Sequence, residues 1–288
     1  MAVQLHVAHS SLVKGVGVVA GGPYYCAQGN LWAAYYNCMQ PGPWTPLPSP
    51  RMLKEATDGA ARKGRIDPTG NLAAARVWLF HGMRDRTVYA AVVQGLREYY
   101  ALYRVKAVLI DNTSAGHAMP TEEAGNEECA ATREPYLNDC DYDAAGALLK
   151  HVLGAVVKDP AAKPGGRLLA FDQRPYGTEA RMGESGFLYV PRACEKERCR
   201  VHVAFHGCRQ SAGEVGERFA REAGYNRWAD TNRLLVLYPQ ARASWSPLAF
   251  NPRACWDWWG YTGDAYHTQE GVQIKAVMEM LKALAAGN

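Results

Sequence analysis

Two short apolar runs separated by one helix-length amphipathic segment constrain this chain more than any other feature. The first, Val77-Trp78-Leu79-Phe80, ends at His81-Gly82, and the second is Ala107-Val108-Leu109-Ile110. Both are too short for helices and are bounded by turn residues, so both read as buried strands. Between them, Tyr89 to Tyr103 puts Val92, Val93, Leu96, Tyr99 and Tyr103 on one helical face. A helical crossover between two strands lets them pair in parallel, so the stretch predicts an α/β fold. Asp85 lies in the turn after the first strand, and His117 in the loop after the second, within Gly-His-Ala-Met-Pro120. An acid and a histidine delivered from neighbouring strands suit proton transfer. Each residue also has a plainer reading. Asp85 could cap the following helix, worth about 0.3–1 kcal/mol, and His117 could be a solvated turn residue.

Composition narrows the function classes. The 288 residues suffice for one large α/β domain or two small ones, and 48% hydrophobic content supplies a core. A net charge of +4, with Lys and Arg scattered, argues against a nucleic-acid partner. No run reaches the roughly 18–20 apolar residues needed to span a bilayer, so no membrane partner is expected either. The eight cysteines fall in close pairs, which suggests Cys26–Cys38, Cys129–Cys140 and Cys194–Cys199 and leaves Cys208 for Cys255. On the order of a hundred pairings are formally open to eight cysteines. No Cys-x-x-Cys or His-x-x-x-His partner pair is present, so no metal site is expected. Disulfides imply an oxidising compartment, and the expected location is secreted or periplasmic. Met1 to Ser10 is nevertheless no signal peptide, because it carries Gln4, His6 and His9 and no early Lys or Arg. It reads as an amphipathic helix with no N-cap before it.

In chain order, Gly15 to Ala20 reads as a strand. Tyr24 to Pro50 reads as a loop held by Cys26 and Cys38, and Leu53 to Lys63 as a short helix. Beyond the opening stretch, Thr121 to Asp141 reads as a loop tied by Cys129 and Cys140. Asp143 to Val157 reads as a helix, with Leu148, Leu149, Val152, Leu153 and Val156 inward. Lys158 to Gly166 is the linker candidate. Arg167–Phe171 and Gly186–Pro191 look like hairpin strands, Arg200–Phe205 a buried strand, Phe219–Thr231 one helix, and Leu234–Tyr238 a parallel-type strand. An aromatic loop from Trp245 to Tyr261 precedes a closing helix, Thr268 to Leu284. Neither repeats nor low-complexity segments occur.

His206-Gly207-Cys208 sits at the end of a strand, followed by Arg-Gln-Ser. It is either a plain glycine turn or an oxyanion loop of His-Gly type. Its neighbours sharpen the choice. Val201-His-Val-Ala-Phe-His-Gly-Cys-Arg-Gln-Ser211, Gly224-Tyr-Asn-Arg-Trp-Ala-Asp-Thr-Asn232, Val236-Leu-Tyr-Pro-Gln240 and Cys255-Trp-Asp-Trp-Trp-Gly-Tyr261 resemble the poly(3-hydroxybutyrate) depolymerases. The order of the motifs, with acid and histidine ahead of the oxyanion loop, is similar to that family's circularly permuted group. The resemblance covers residues 1 to about 284. It implies a single-domain α/β-hydrolase fold in permuted order, with an acid and histidine half over 1–157 and an oxyanion-loop half over 167–288.

Residue by residue, Asp85 in His-Gly-x-x-Asp-x-x-Val matches the family's triad acid. His117 in Ala-Gly-His-x-x-Pro matches its base, and Cys208 the position whose backbone N–H stabilises the oxyanion. Trp256, Trp258 and Trp259 cannot all face one core, so at least one is expected to line a crevice for an apolar polyester. The other histidines, His6, His9, His81, His151, His202, His206 and His267, read as structural. The family's nucleophile stands in Gly-x-Ser-x-Gly-Gly-[Tyr/Phe]-Met-Ala, and Met1-Ala2 match only the end of that stretch. The expectation is that the serine and its strand lie upstream of residue 1, and that without them the chain is poorly stable or inactive. Ser185, Ser114, Ser10 and Ser11 lack the elbow context. The implied activity is serine-esterase hydrolysis of a polyester, or a small ester, by a monomer that needs no cofactor. The rivals are another esterase of the fold, such as a feruloyl or acetylxylan esterase, and a non-catalytic fragment.

Overall fold

A computed structural model of the chain describes residues 1–154, 157–177 and 180–287. It divides into two compact units. The first comprises Met1–Ala118, Glu128–Thr132 and Asp257–Ile274. Its elements are α1 (Ala2–Ala8), β1 (Gly15–Val19), α2 (Leu31–Cys38), α3 (Pro50–Arg62), β2 (Arg76–Phe80), α4 (Ala90–Ala101) and β3 (Val108–Ile110). β1, β2 and β3 form a parallel sheet with β2 in the middle. The central position explains why Val77, Trp78, Leu79 and Phe80 are all buried. β3 is an outer strand instead of the buried one expected, and its Val108 is 39% exposed. α4 buries Val92, Val93, Leu96 and Tyr99 of the face foreseen in the sequence and Tyr100 besides, while Tyr103, also buried, lies beyond the end of the helix.

Two helices in this unit start from side-chain caps. Ser49 accepts the Met52 N–H ahead of α3, whose first residue is Pro50, and Asn30 accepts the Ala33 N–H ahead of α2. α2 corrects the reading of Tyr24 to Pro50 as loop alone. Asn30 satisfies an orphan amide locally, and Cys38 at its end is bridged to Cys26.

The second unit comprises Met119–Glu127, Arg133–Trp256 and Lys275–Asn288. Three short strands, β4 (Met119–Thr121), β5 (Glu127–Glu128) and β6 (Leu137–Asp139), replace the loop expected from Thr121 to Asp141, and β4 pairs with β6 in parallel. α5 (Ala144–Leu153) follows, with Asp143 capping the Gly146 N–H and Leu148 and Leu149 buried. Val156 lies outside the described residues. β7 (Arg167–Asp172) and β8 (Ser185–Val190) form the expected antiparallel hairpin. With β9 (Arg200–Val203) and β10 (Leu234–Tyr238) they make a sheet ordered β7-β8-β10-β9. β10 is buried throughout, antiparallel to β8 and parallel to β9.

α6 (Ala212–Val215), α7 (Arg218–Glu222) and α8 (Tyr225–Asn232) intervene. The single helix expected over Phe219–Thr231 is split at Gly224, whose φ of 89° is left-handed and stops a helix. There a Cβ would press on Ala145 at 3.2 Å. α9 (Val272–Gly287) closes the chain with Ile274 and Val277 buried. All eight cysteines are disulfide-bonded. Cys26–Cys38, Cys194–Cys199 and Cys208–Cys255 pair as the spacing suggested, and Cys129 and Cys140 are oxidised as well. Among the described residues no helix is long and apolar enough to cross a membrane.

Candidate active site

Asp85 and His117 meet. Asp85 Oδ2 accepts from His117 Nδ1 at 2.8 Å, with the aspartate side chain 1% exposed and the histidine 30% exposed. The loops after β2 and β3 are laced together by their backbones, which makes this approach obligatory. His81 N–H donates to Ile110, Met83 N–H to Thr113 and Arg84 N–H to Ala115, each at 2.9–3.0 Å. Two glycines allow that closeness. A Cβ on Gly82 would lie 2.2 Å from the Ala115 carbonyl oxygen, and one on Gly116 would lie 2.2 Å from that of Ala131.

The acid is held from both sides. Asp85 Oδ1 accepts the N–H of Thr87 at 2.8 Å and of Val88 at 3.0 Å. Burial alone would push its pKa up. The hydrogen bond and charge of His117, with the Val88 and Thr87 amides, outweigh that and hold the carboxyl below its usual value. Asp85 therefore stays ionised and keeps the proton of His117 on Nδ1, leaving Nε2 as a lone pair. The histidine's own backbone is also anchored, since His117 N–H donates to Thr132 Oγ1 at 2.9 Å and Gly116 N–H to the Cys129 carbonyl at 2.8 Å. Among the described residues nothing is hydrogen-bonded to Nε2. Ser10 and Ser11 are engaged elsewhere, with the Pro68 carbonyl and Asp67 respectively.

The aromatic segment divides by burial. Trp256 and Trp259 are buried, while Trp258 is half-buried and is the one presented to solvent. Asp257, next to Trp258, accepts the N–H groups of Trp259, Gly260, Tyr261 and Thr262 and the Thr262 hydroxyl, so one buried carboxylate templates the turn. Desolvation pushes its pKa up despite these donors. Sequence reasoning missed Asp257, although an Asp flanked by aromatics and followed by Gly-Tyr-Thr is a recognisable turn former.

In the second unit, Cys208 is exposed in the turn after β9 and bridged to the buried Cys255. Arg209, at φ 63°, makes the turn and donates its N–H to the Arg253 carbonyl at 2.7 Å. The Cys208 N–H has no hydrogen-bond partner among the described residues. Among those residues, too, no group of three or more His, Cys, Asp or Glu could hold a metal ion.

Comparison with known proteins gives a consistent result. Residues 185–288 match the family described as esterase PHB depolymerase. A poly(3-hydroxybutyrate) depolymerase of Delftia acidovorans is 40% identical over all of this chain, which spans 58% of that relative's length. A polyhydroxybutyrate depolymerase of Talaromyces funiculosus is 35% identical, again over the whole chain and over 86% of the relative. Two solved structures are similar over 99% of the chain and 91% of theirs. One is a PHB depolymerase variant complexed with an R3HB trimer (TM-score 0.90, 33% identity), and the other is the PHB depolymerase of Penicillium funiculosum (TM-score 0.88, 32% identity). Similarity of this extent, running through the segments that bring Asp85 to His117, means that the chain belongs to the poly(3-hydroxybutyrate) depolymerase family of esterases.

Proposed function

We propose that this protein hydrolyses poly(3-hydroxybutyrate), or a related short-chain polyhydroxyalkanoate, to hydroxyacid oligomers. The observation that carries the reading is the 2.8 Å contact between a buried, ionised Asp85 and His117 with its Nε2 free. Such a pair takes a proton from a serine hydroxyl, holds it as imidazolium and returns it to the departing alcohol. The serine attacks the ester carbonyl, and the Cys208 N–H stabilises the oxyanion. Water then releases the acyl group. The substrate class is supported by the relatives' names and by the R3HB trimer in the solved relative. The half-buried position of Trp258, beside the buried Trp256 and Trp259, supports reading it as the aromatic side chain that meets an aliphatic polyester.

The disulfide content supports a secreted or periplasmic protein.

The test is an assay of hydrolysis: protein that includes a Gly-x-Ser-x-Gly-Gly nucleophile stretch ahead of these residues should clear a suspension of poly(3-hydroxybutyrate). Release of ferulate or xylan-bound acetate with the polymer left intact would move the activity to another esterase class. Hydrolysis of none of these esters would leave the non-catalytic reading.

A further inference from the structure

His206 precedes the glycine of the oxyanion loop and reads in sequence as a structural residue. It is 3% exposed, packed against Trp256 at 5.5 Å and Phe219 at 6.5 Å between ring centroids. Both ring nitrogens are engaged, each with a backbone group that has only one possible role. The Ala241 N–H donates to Nε2 at 3.0 Å, so Nε2 is the lone-pair nitrogen. The Gly207 carbonyl lies 2.7 Å from Nδ1 and can only accept, so Nδ1 carries the proton. Two fixed partners thus select one neutral tautomer, and burial, which lowers the pKa to about 4, keeps it neutral at ordinary pH.

The carbonyl that His206 holds belongs to the peptide joining Gly207 to Cys208. A trans peptide is planar, with C=O and N–H pointing in opposite directions. Fixing the Gly207 oxygen therefore fixes the direction of the Cys208 N–H. That oxygen takes a second donor, the Gln210 N–H at 3.2 Å. The far side of Gly207 is held by Gln210 Oε1, which accepts the Gly207 N–H at 2.8 Å, while Gln210 Nε2 donates to the Pro135 and Tyr136 carbonyls. Both polar groups of Gly207 are tied down, and the Cys208 N–H is left over. A donor aimed before the charge develops needs no reorganisation when it does.

We propose that His206 is a positioning residue of the oxyanion loop, its Nδ1–H clamping the Gly207 carbonyl so that the Cys208 N–H is presented outward. This rests on the reading of the Cys208 amide as the oxyanion donor. Losing the clamp frees one peptide plane to rotate. One neutral hydrogen bond is worth roughly 1 kcal/mol net, and about 1.4 kcal/mol is tenfold, so a loss of about fivefold in anion binding at that amide is expected.

The experiment uses the chain itself, labelled with nitrogen-15, and (R)-3-hydroxybutyrate as a carboxylate probe. In the unsubstituted protein the ring spectrum should show Nδ1 protonated and Nε2 bare, and the Cys208 amide should shift saturably with the probe. His206→Asn puts an amide N–H near the Nδ1 position and should bind within about twofold of the original. His206→Gln reaches the Nε2 position and cannot serve the Gly207 carbonyl, so it should bind about fivefold more weakly. Melting curves of the two variants, similar in polarity and size, separate misfolding from mispositioning. Equal binding by both variants, or a proton on Nε2, would overturn the role of His206 and leave Cys208 untouched. No shift of the Cys208 amide in the unsubstituted protein would instead overturn the donor reading, and the clamp with it.

Discussion

Asp85→Asn is the sharpest perturbation of the dyad. Asp85 receives three donors, the Thr87 and Val88 amides on Oδ1 and His117 Nδ1 on Oδ2. An asparagine can keep the two amides on its oxygen and then turns an NH2 toward His117. Nδ1 must now accept, so the ring proton moves to Nε2 and the lone pair that would take a serine proton disappears. In a serine–histidine–aspartate triad this exchange costs roughly 10⁴-fold in kcat, and a loss of that order is expected in serine-bearing protein. Stability should fall by only about 1–2 kcal/mol, since a charge-assisted bond becomes a neutral one. Asp85→Ala strips all three donors of a partner and should cost about 3–5 kcal/mol.

The pH dependence carries a sign. The folded pKa of Asp85 is depressed, so its stabilisation is present above the unfolded carboxylate value of about 3.9 and fades as pH falls through the folded one. Asp85→Asn lacks that component. Urea unfolding across pH and nitrogen-15 spectra of the His117 ring read both effects. An Asp85→Asn ring still protonated at Nδ1, or an Asp85→Ala midpoint equal to the original, would refute the reasoning.

Other perturbations test neighbouring features. Gly116→Ala drives a Cβ against the Ala131 carbonyl oxygen at 2.2 Å; the ring spectrum should show His117 detached from Asp85, at an activity loss beyond tenfold in serine-bearing protein. Trp228→Phe removes the 2.6 Å bond from Nε1 to Asp143, the cap of α5, and should lower stability by about 1.5–3 kcal/mol in urea. Removing Cys208–Cys255 with paired serines opens a loop closed over a separation of 47 residues and should cost up to about 4 kcal/mol by the chain-entropy estimate. His6 and His206 are buried with pKa values lowered to about 4. Unfolding should therefore take up protons between about pH 6.5 and 4, each histidine withdrawing on the order of 3 kcal/mol by the lower limit. Calorimetry in buffers of different ionisation enthalpy measures that uptake.

The parts of the fold legible in the sequence were those with a single physical signature. β2 is apolar throughout because it is central, and α4 shows a clean helical stripe because one face packs and the other does not. Cys26–Cys38 and Cys194–Cys199 were legible because short separations leave few alternatives, and Cys208–Cys255 was legible as the remainder. Strands β4 and β6 were hidden because three-residue pairings carry no periodicity. β3 read as buried because apolar composition does not distinguish an outer strand from a central one. The meeting of Asp85 with His117 was foreseen from their places after consecutive strands. Its cause was not, because the lacing of the two loops is made of backbone groups that any sequence possesses. The role of His206 stayed invisible for the same reason, since both its partners are main-chain atoms.

The segment that carries His117 hangs on residues 128–132, through the Cys129 carbonyl and the Thr132 hydroxyl, and Cys129 is itself oxidised. His117 is thus tethered to a part of the chain that carries an oxidised cysteine, a covalent event that follows synthesis. A copy held in a reducing environment would keep both side chains of the dyad and lose that covalent tie beneath one of them.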